Sequence, residues 1–336
     1  MSGHQVPYHL RTNKFIERQL FLDALDFVRV YNGPSKYIYI SMGGPFLEDF
    51  KHINDRFAIE SMVSLESDEQ TWKRQIFNSP YGFINCRNES SGEFISNFDD
   101  FALEHEDKRF VIWLDYAAAD SRFKQLQEFE ELITKLSEGD VIKITLNANY
   151  QSPKKRSEVQ GISDRQYDTI LISEHTDQLS DYLPLSGVEK RHLNESGFAK
   201  LLAQSVRIAA TKGTENLQVE AVPLMGIRYN DGEHQMLTVT AMICSNELVA
   251  MIEGDQGFQN WPLKSKDWDT VYEVRVPHLS TKERLTINSL MKDMSDANSI
   301  QTKLGFQFDD NFGRSMELLT SYMKYYRNYP SFARMQ

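Results

Sequence analysis

The chain has 336 residues, more than one average domain, and this length predicts a large domain with a smaller appendage. A formal net charge of −11 argues against broad, charge-driven binding to nucleic acid or anionic membranes, an argument that does not extend to a local basic site. The two cysteines lack metal-ligand spacing, and no apolar run reaches the roughly 18 residues that span a bilayer, so we expect a cytoplasmic protein without a membrane span.

The first part of the chain alternates between helical and extended patterns. Apolar residues at three-to-four spacing predict a helix within residues 14–32. A β-branched and aromatic run at 36–42 predicts a strand that ends in a glycine turn, and a helical pattern follows at 46–57. A second apolar run, within SMVSLES at 61–67, ends on the acidic Glu66 and is followed by a polar helix.

Three further strands are predicted before residue 150. The run at 81–86 is short, whereas the run at 109–116 is nearly continuous in apolar residues, as a strand covered on both faces must be. Residues 123–136 show helical spacing, and 140–149 form the next extended run. Regular alternation of strand and helix predicts a mainly parallel sheet with helices on both faces.

The pattern changes in the last part of the chain. Residues 217–245 form two extended runs around Asp231-Gly232, a strong hairpin signal. The resulting fold class is α/β, with a Rossmann-like, mainly parallel seven-stranded sheet that closes in an antiparallel hairpin. We predict an N-terminal helical segment at 1–34, the Rossmann-like domain at 35–245, and an α-rich appendage of mixed structure at 246–336.

Residues at the ends of the first two strands are candidates for cofactor binding. Gly43 and Gly44 permit a ligand to approach the backbone at the start of a helix, although turn geometry alone also explains them. Glu66 closes the second strand, where a carboxylate can accept hydrogen bonds from the ribose hydroxyls of a nucleotide.

Residues at the ends of strands four and five are candidates for contact with the substrate. Asp115 could orient an amine or hydroxyl, and Tyr116 could stack on a planar substrate; capping of the next helix is the alternative for Asp115. Asn147 could hydrogen-bond a substrate, or simply form a turn. The sequence contains no P-loop, no GxSxG motif and no histidine pair typical of a metal site, so we expect no metal.

Together these features resemble class I S-adenosylmethionine-dependent methyltransferases. The resemblance rests on the strand order, the glycine turn in YISMGGPFLEDF, Glu66, the acidic end of WLDY and the closing hairpin. More narrowly, the chain is similar to bacterial proteins described as O-methyltransferases and three-Cys-motif partner proteins. The resemblance implies that S-adenosylmethionine is the cofactor, that Gly43, Gly44 and Glu66 contact it, and that Asp115 faces the acceptor.

The sequence departs from the family pattern just before the glycine turn. Ser41 and Met42 stand where an acidic residue is usual. The alternative to an O- or N-methyltransferase is therefore a degenerate fold that senses a nucleotide or serves as an assembly subunit of a larger, nucleic-acid-associated complex. A nicotinamide-dependent oxidoreductase is a third hypothesis, which an incomplete GxGxxG fingerprint disfavours.

The last helical pattern interleaves aromatic and basic side chains. A single-stranded nucleic-acid surface uses such a mixture for base stacking and phosphate contact. The alternative is an amphipathic helix that packs its tyrosines against the main domain. The candidate contact residues are Tyr322, Lys324, Tyr325, Tyr326 and Arg327.

Overall fold

An eight-stranded sheet forms the centre of the fold. The computed structural model describes residues 10–28, 33 and 36–331. The strand order is β3-β2-β1-β4-β5-β7-β6-β8. Strands β1 to β5 are parallel, and β7 is antiparallel to both of its neighbours. The strands are β1 (Tyr37–Ser41), β2 (Met62–Leu65), β3 (Ile84–Arg87), β4 (Arg109–Asp115), β5 (Val141–Asn147), β6 (Glu220–Asp231), β7 (His234–Cys244) and β8 (Tyr272–Val274).

Helices cover the sheet on both faces. The helices are α1 (Thr12–Val28), α2 (Glu48–Phe57), α3 (Glu69–Asn78), α4 (Ser91–Ser96), α5 (Phe98–Leu103), α6 (Arg122–Ile133), α7 (Asp164–Leu179), α8 (Glu195–Thr214), α9 (Asn246–Gly254), α10 (Gln256–Gln259), α11 (Thr281–Leu290), α12 (Ala297–Leu304) and α13 (Phe312–Tyr325). Apolar residues of α1, α2 and α9 to α13 share one core layer, and those of α4 to α8 share the other.

The side chains of each strand point alternately to these two layers. Tyr39 and Trp113 face the layer that contains α1, whereas Ile40 and Ile112 face the layer that contains α6. Successive side chains of a strand point to opposite faces, so a run that is apolar throughout must be covered twice. The predicted α/β class and mainly parallel sheet are confirmed.

The sheet carries one strand more than the seven predicted. β8 pairs in parallel with β6, with Tyr272 opposite Ile227 and Val274 opposite Tyr229. The sequence contains an extended run here, YEVRVPHL at 272–279, but such a pattern does not identify the strand with which it pairs. The predicted domain boundaries, 1–34, 35–245 and 246–336, stay predictions.

The tyrosines of α13 differ in their exposure. Tyr322 and Tyr325 are buried in the core, and the Tyr322 hydroxyl donates to Asn288 Oδ1 at 2.8 Å. Tyr326 is half-buried, while Lys324 and Arg327 are exposed. Two of the three rings proposed for base stacking therefore serve the core, and nucleic-acid contact through the remaining groups stays a prediction.

Within the described ranges, no helix combines the length and the apolar character that a membrane crossing requires.

Candidate functional site

A cleft of about 540 Å³ lies at the carboxyl ends of β1 to β5. In open parallel sheets this edge is where ligands bind, because successive strand-to-helix loops converge there. The lining residues follow the ends of the five strands and include parts of α1, α6 and the hairpin turn. They are Arg11, Lys14, Met42, Gly44, Leu65, Glu66, Ser67, Glu89, Ser90, Ser91, Asp115, Tyr116, Ala117, Ala118, Gln125, Asn147, Asp231, His234 and Met236.

The cleft brings together five of the six residues selected from the sequence. Those five are Gly44, Glu66, Asp115, Tyr116 and Asn147. Their convergence follows from topology alone, since all five lie at the carboxyl ends of parallel strands. What each side chain can do depends on the partners described next.

The two glycines of the turn have different environments. Gly44 lines the cleft and has a φ of 53°, a left-handed conformation that favours glycine. Gly43 is not a lining residue, and a Cβ there would lie 2.4 Å from Leu47 Cδ2 and 2.6 Å from Ser64 Oγ. The structure therefore gives Gly43 a packing role beneath the turn.

Glu66 is held at the rim of the cleft by its backbone. Its N–H donates to the Arg87 carbonyl at 3.1 Å, and its carbonyl accepts the Glu89 N–H at 3.1 Å. The carboxylate accepts the backbone N–H of Asp68 at 2.9 Å. A carboxylate offers about four acceptor sites, so the same group has capacity for ligand hydroxyls.

Asp115 faces two cations from α1. Its Oδ2 lies 3.5 Å from Arg18 Nη2 and 3.9 Å from Lys14 Nζ. Burial by itself would raise the pKa of Asp115, but the charges of Lys14, Arg18 and Lys143 outweigh it and hold this pKa below its usual range. Asp115 is therefore an ionised hydrogen-bond acceptor at neutral pH.

The Tyr116 hydroxyl is hydrogen-bonded within the protein. It donates to Glu128 Oε2 at 2.5 Å, and the Ser91 hydroxyl donates to the same oxygen at 2.6 Å. Burial and the Glu128 charge raise the pKa of Tyr116 well above its usual value. The phenol therefore fixes the loop after β4 to α6, whose Glu128 also holds the start of α4, and the aromatic ring is the part of Tyr116 that can contact a ligand.

Asn147 ties the loops after β4 and β5 together. Its amide nitrogen donates to the Ala117 carbonyl at 3.2 Å, and its amide oxygen accepts the Asn149 N–H at 3.0 Å. Its own carbonyl accepts two bonds from the Arg122 guanidinium, at 3.0 and 2.8 Å. Turn formation thus accounts for its side-chain bonds, and a contact with substrate stays a prediction.

Sequence reasoning missed the charged face of α1. Lys14 and Arg18 are buried, and Arg18 Nε also donates to Asp49 Oδ1 at 2.6 Å. The local signal is weak: two basic residues four positions apart lie on the helix face that also carries apolar Phe21 and Leu25. Their partners lie on α2, β4 and β6, so the spacing within α1 could not identify them.

Gln125 of α6 was also missed. Its amide nitrogen donates to the Ala118 carbonyl at 2.8 Å, and its buried amide oxygen has no donor among the described residues. A buried polar atom without a partner is costly, which makes this oxygen a candidate acceptor for a ligand N–H or O–H group.

His175 supports the backbone beyond β5 and gives the protein a pH-dependent stability. Its Nε2 lies 2.7 Å from the Tyr150 carbonyl oxygen, and burial, assisted by the Arg122 charge, lowers the pKa of His175 to about 4. The unfolded chain takes up this proton near pH 6.5 and the folded protein only near pH 4. The stabilisation is complete above pH 6.5 and is lost as the pH falls toward 4.

We therefore expect wild-type protein to lose about 2 kcal/mol of unfolding free energy between pH 7 and pH 5 through this group. The His175→Gln variant lacks the titration, so its loss over the same interval should be smaller by that amount. Urea unfolding at both pH values measures the difference. The exposed His278→Gln serves as control, and equal pH dependence of wild type and His175→Gln would contradict this assignment.

No three His, Cys, Asp or Glu side chains are grouped to hold a metal ion in the part of the chain that the structure describes.

Comparisons with known proteins identify the family of this chain and several similar solved structures. A model of the family described as "Putative O-methyltransferase" matches residues 6–336. A search of curated protein sequences found no match. Among solved structures, the N-methyltransferase NodS from Bradyrhizobium japonicum WM9 is 7% identical with a TM-score of 0.35, over 68% of this chain and 97% of NodS.

A second similar structure is Trm1 from Pyrococcus horikoshii in complex with S-adenosyl-L-methionine. It is 7% identical with a TM-score of 0.45, over 69% of this chain and 55% of Trm1. At such identities and scores, neither structure supports an assignment of substrate.

Proposed function

Since the chain belongs to the O-methyltransferase family whose model spans residues 6–336, we propose that it transfers a methyl group from S-adenosylmethionine to an oxygen or nitrogen acceptor. The observation that carries the proposal is the convergence of Gly44, Glu66 and Asp115 in one cleft. A family and a fold indicate methyl transfer in general, whereas the cofactor and the kind of acceptor are inferred from the side chains of the cleft.

The polar groups of the cleft suit this cofactor. S-adenosylmethionine presents hydroxyl and ammonium donors, a cationic sulfonium and a carboxylate. The cleft offers the Glu66 carboxylate and the Gln125 amide oxygen as acceptors, the latter buried and without a donor among the described residues. Lys14 and Arg11 supply positive charge on the α1 side of the same cleft.

When bound, S-adenosylmethionine supplies a methyl group that the sulfonium has already activated. The protein then has to position the acceptor and exclude water. The ionised Asp115 can accept a hydrogen bond from the acceptor's O–H or N–H and so orient its lone pair. Tyr116 and Glu128 fix the loop that carries this edge of the cleft.

Turnover tests the proposal. Protein is incubated with S-adenosylmethionine and a panel of phenols, hydroxy acids and amines, and S-adenosylhomocysteine is quantified by mass spectrometry. We expect product above the acceptor-free background for at least one class, and a loss of roughly tenfold or more in Asp115→Asn, because a positioned hydrogen-bond acceptor is removed.

The exposed Asp120→Asn, in the same loop, is the matched control and should keep full turnover. Cofactor binding without product from any class would contradict methyl transfer and favour the nucleotide-sensing alternative. Equal rates in wild type and Asp115→Asn would contradict the role of Asp115.

A further inference from the structure

A second recess, of about 840 Å³, adjoins the cleft. Arg11, Asp231 and His234 line both spaces, so the two meet along these three side chains. The other walls come from residues 10–13 at the start of α1, the hairpin turn, residues 275–278 after β8, and Arg314 and Leu318 of α13. Segments from both ends of the chain therefore complete a space beside the cleft.

Hydrogen bonds hold these walls in place. The Asn13 amide nitrogen donates to the Asn230 carbonyl at 3.2 Å, and its amide oxygen accepts the Val276 N–H at 3.0 Å. Arg11 pairs with Asp231 at 2.6 Å, and the Arg275 N–H donates to Ser321 Oγ at 3.3 Å. The recess is thus a preformed part of the folded chain.

The cations of the recess are only partly neutralised. Arg275 lies 3.3 Å from Glu195, a carboxylate that it shares with Arg228. Arg314 is exposed, and its guanidinium has no partner among the described residues. A guanidinium with free donors recognises carboxylates and phosphates.

Two of the three anions that line the recess have partners within the protein. Asp231 pairs with Arg11 and Lys14, and Asp309 Oδ1 accepts the Asn311 N–H at 2.9 Å. Glu233 is exposed on the hairpin turn, a different segment of the chain from those that carry Arg275 and Arg314. The cation without a partner, Arg314, therefore favours an anionic ligand on the α13 side.

Apolar side chains lie beside this cation. Phe308 and Leu318 are half-buried lining residues, and Val276 and Pro277 form an apolar stretch of the adjoining wall. A space of this volume accommodates a small organic molecule, and its mixed lining suits one with an apolar body and a charged end.

We propose that the recess binds the methyl acceptor and that the acceptor is an organic acid with an apolar body, its carboxylate held by Arg314 and its nucleophilic group directed toward the cleft. The proposal rests on the proposed methyl transfer for the identity of the ligand as an acceptor. Binding of such an acid to the recess is a separate property that is measured without turnover.

The test uses 3-(4-hydroxyphenyl)propionate and its uncharged amide as probes, with binding to the full chain measured by ligand-observed NMR. We expect the acid to bind about tenfold more tightly than the amide, and Arg314→Gln to reduce the affinity for the acid to that for the amide. Affinity for S-adenosylhomocysteine should be unchanged in Arg314→Gln. The exposed Arg207→Gln, on α8, should change neither affinity.

Equal binding of acid and amide, binding of neither, or an unchanged affinity for the acid in Arg314→Gln would overturn the proposal. Failure of the wild-type protein to bind S-adenosylhomocysteine would instead overturn the proposed function. The acid is therefore titrated both with and without S-adenosylhomocysteine, so that the two failures are distinguished.

Discussion

Replacing Lys143 with methionine is expected to lower the free energy of unfolding by about 3–5 kcal/mol, because it leaves a buried carboxylate without its counter-charge. Lys143 Nζ lies 2.7 Å from Glu17 Oε1, and both side chains are completely buried between α1 and β5. The ammonium also lies 3.5 Å from the centroid of the Trp113 ring. Burial lowers the pKa of Lys143, and the charge of Glu17 opposes that shift.

The double variant Glu17→Met/Lys143→Met distinguishes two causes of lost stability, an unpaired buried charge and poorer packing. A buried ion pair stabilises little in comparison with apolar residues of similar volume, so the double variant should regain most of the stability that the single variant loses. Urea unfolding measures all three proteins.

The exposed pair Lys73–Glu69 supplies the control, and Lys73→Met should cost less than about 1 kcal/mol. A Lys143→Met protein as stable as wild type would contradict this role of the Lys143–Glu17 pair. A double variant as unstable as the single one would assign the loss to packing instead.

This pair also connects stability to the cleft. Glu17 belongs to the same helix as Lys14 and Arg18, which face Asp115. Loosening α1 should therefore displace the cations that keep Asp115 ionised. The helix is a wall of the site as well as a part of the core.

The sequence predicts the part of the site that topology determines. Gly44, Glu66 and Asp115 each follow an apolar run, and the carboxyl ends of parallel strands meet at one edge. The hairpin around Asp231-Gly232 can likewise be predicted from the sequence, because the tight turn requires the positive φ of Gly232. Such features depend on neighbours in the sequence, so no knowledge of tertiary contacts is needed.

The partners of these residues could not be predicted in the same way. Asp115 is paired with cations about 100 positions away on α1, and Tyr116 with Glu128 on the following helix. The packing of Tyr322 against the core likewise depends on contacts between distant segments. Aromatic and basic spacing alone fits a nucleic-acid surface and a buried helix face equally well.

The second large effect concerns Glu66, whose carboxylate we expect to accept hydrogen bonds from the ribose of the cofactor. Its backbone is fixed by β3, and its side chain lines the cleft. Glu66→Gln keeps the shape of the side chain but removes its charge and one acceptor. Hydrogen bonds to charged groups contribute about 1.5–3 kcal/mol, so binding should weaken roughly 10- to 100-fold.

The central claim is that the cleft at the strand ends binds this cofactor. Its most direct test is calorimetric titration with S-adenosylhomocysteine, carried out on the wild type, on Glu66→Gln and on the exposed control Glu69→Gln. We predict micromolar binding to the wild type and to Glu69→Gln, and the 10- to 100-fold loss in Glu66→Gln. Absence of binding to the wild type, or equal affinity in Glu66→Gln, would contradict it.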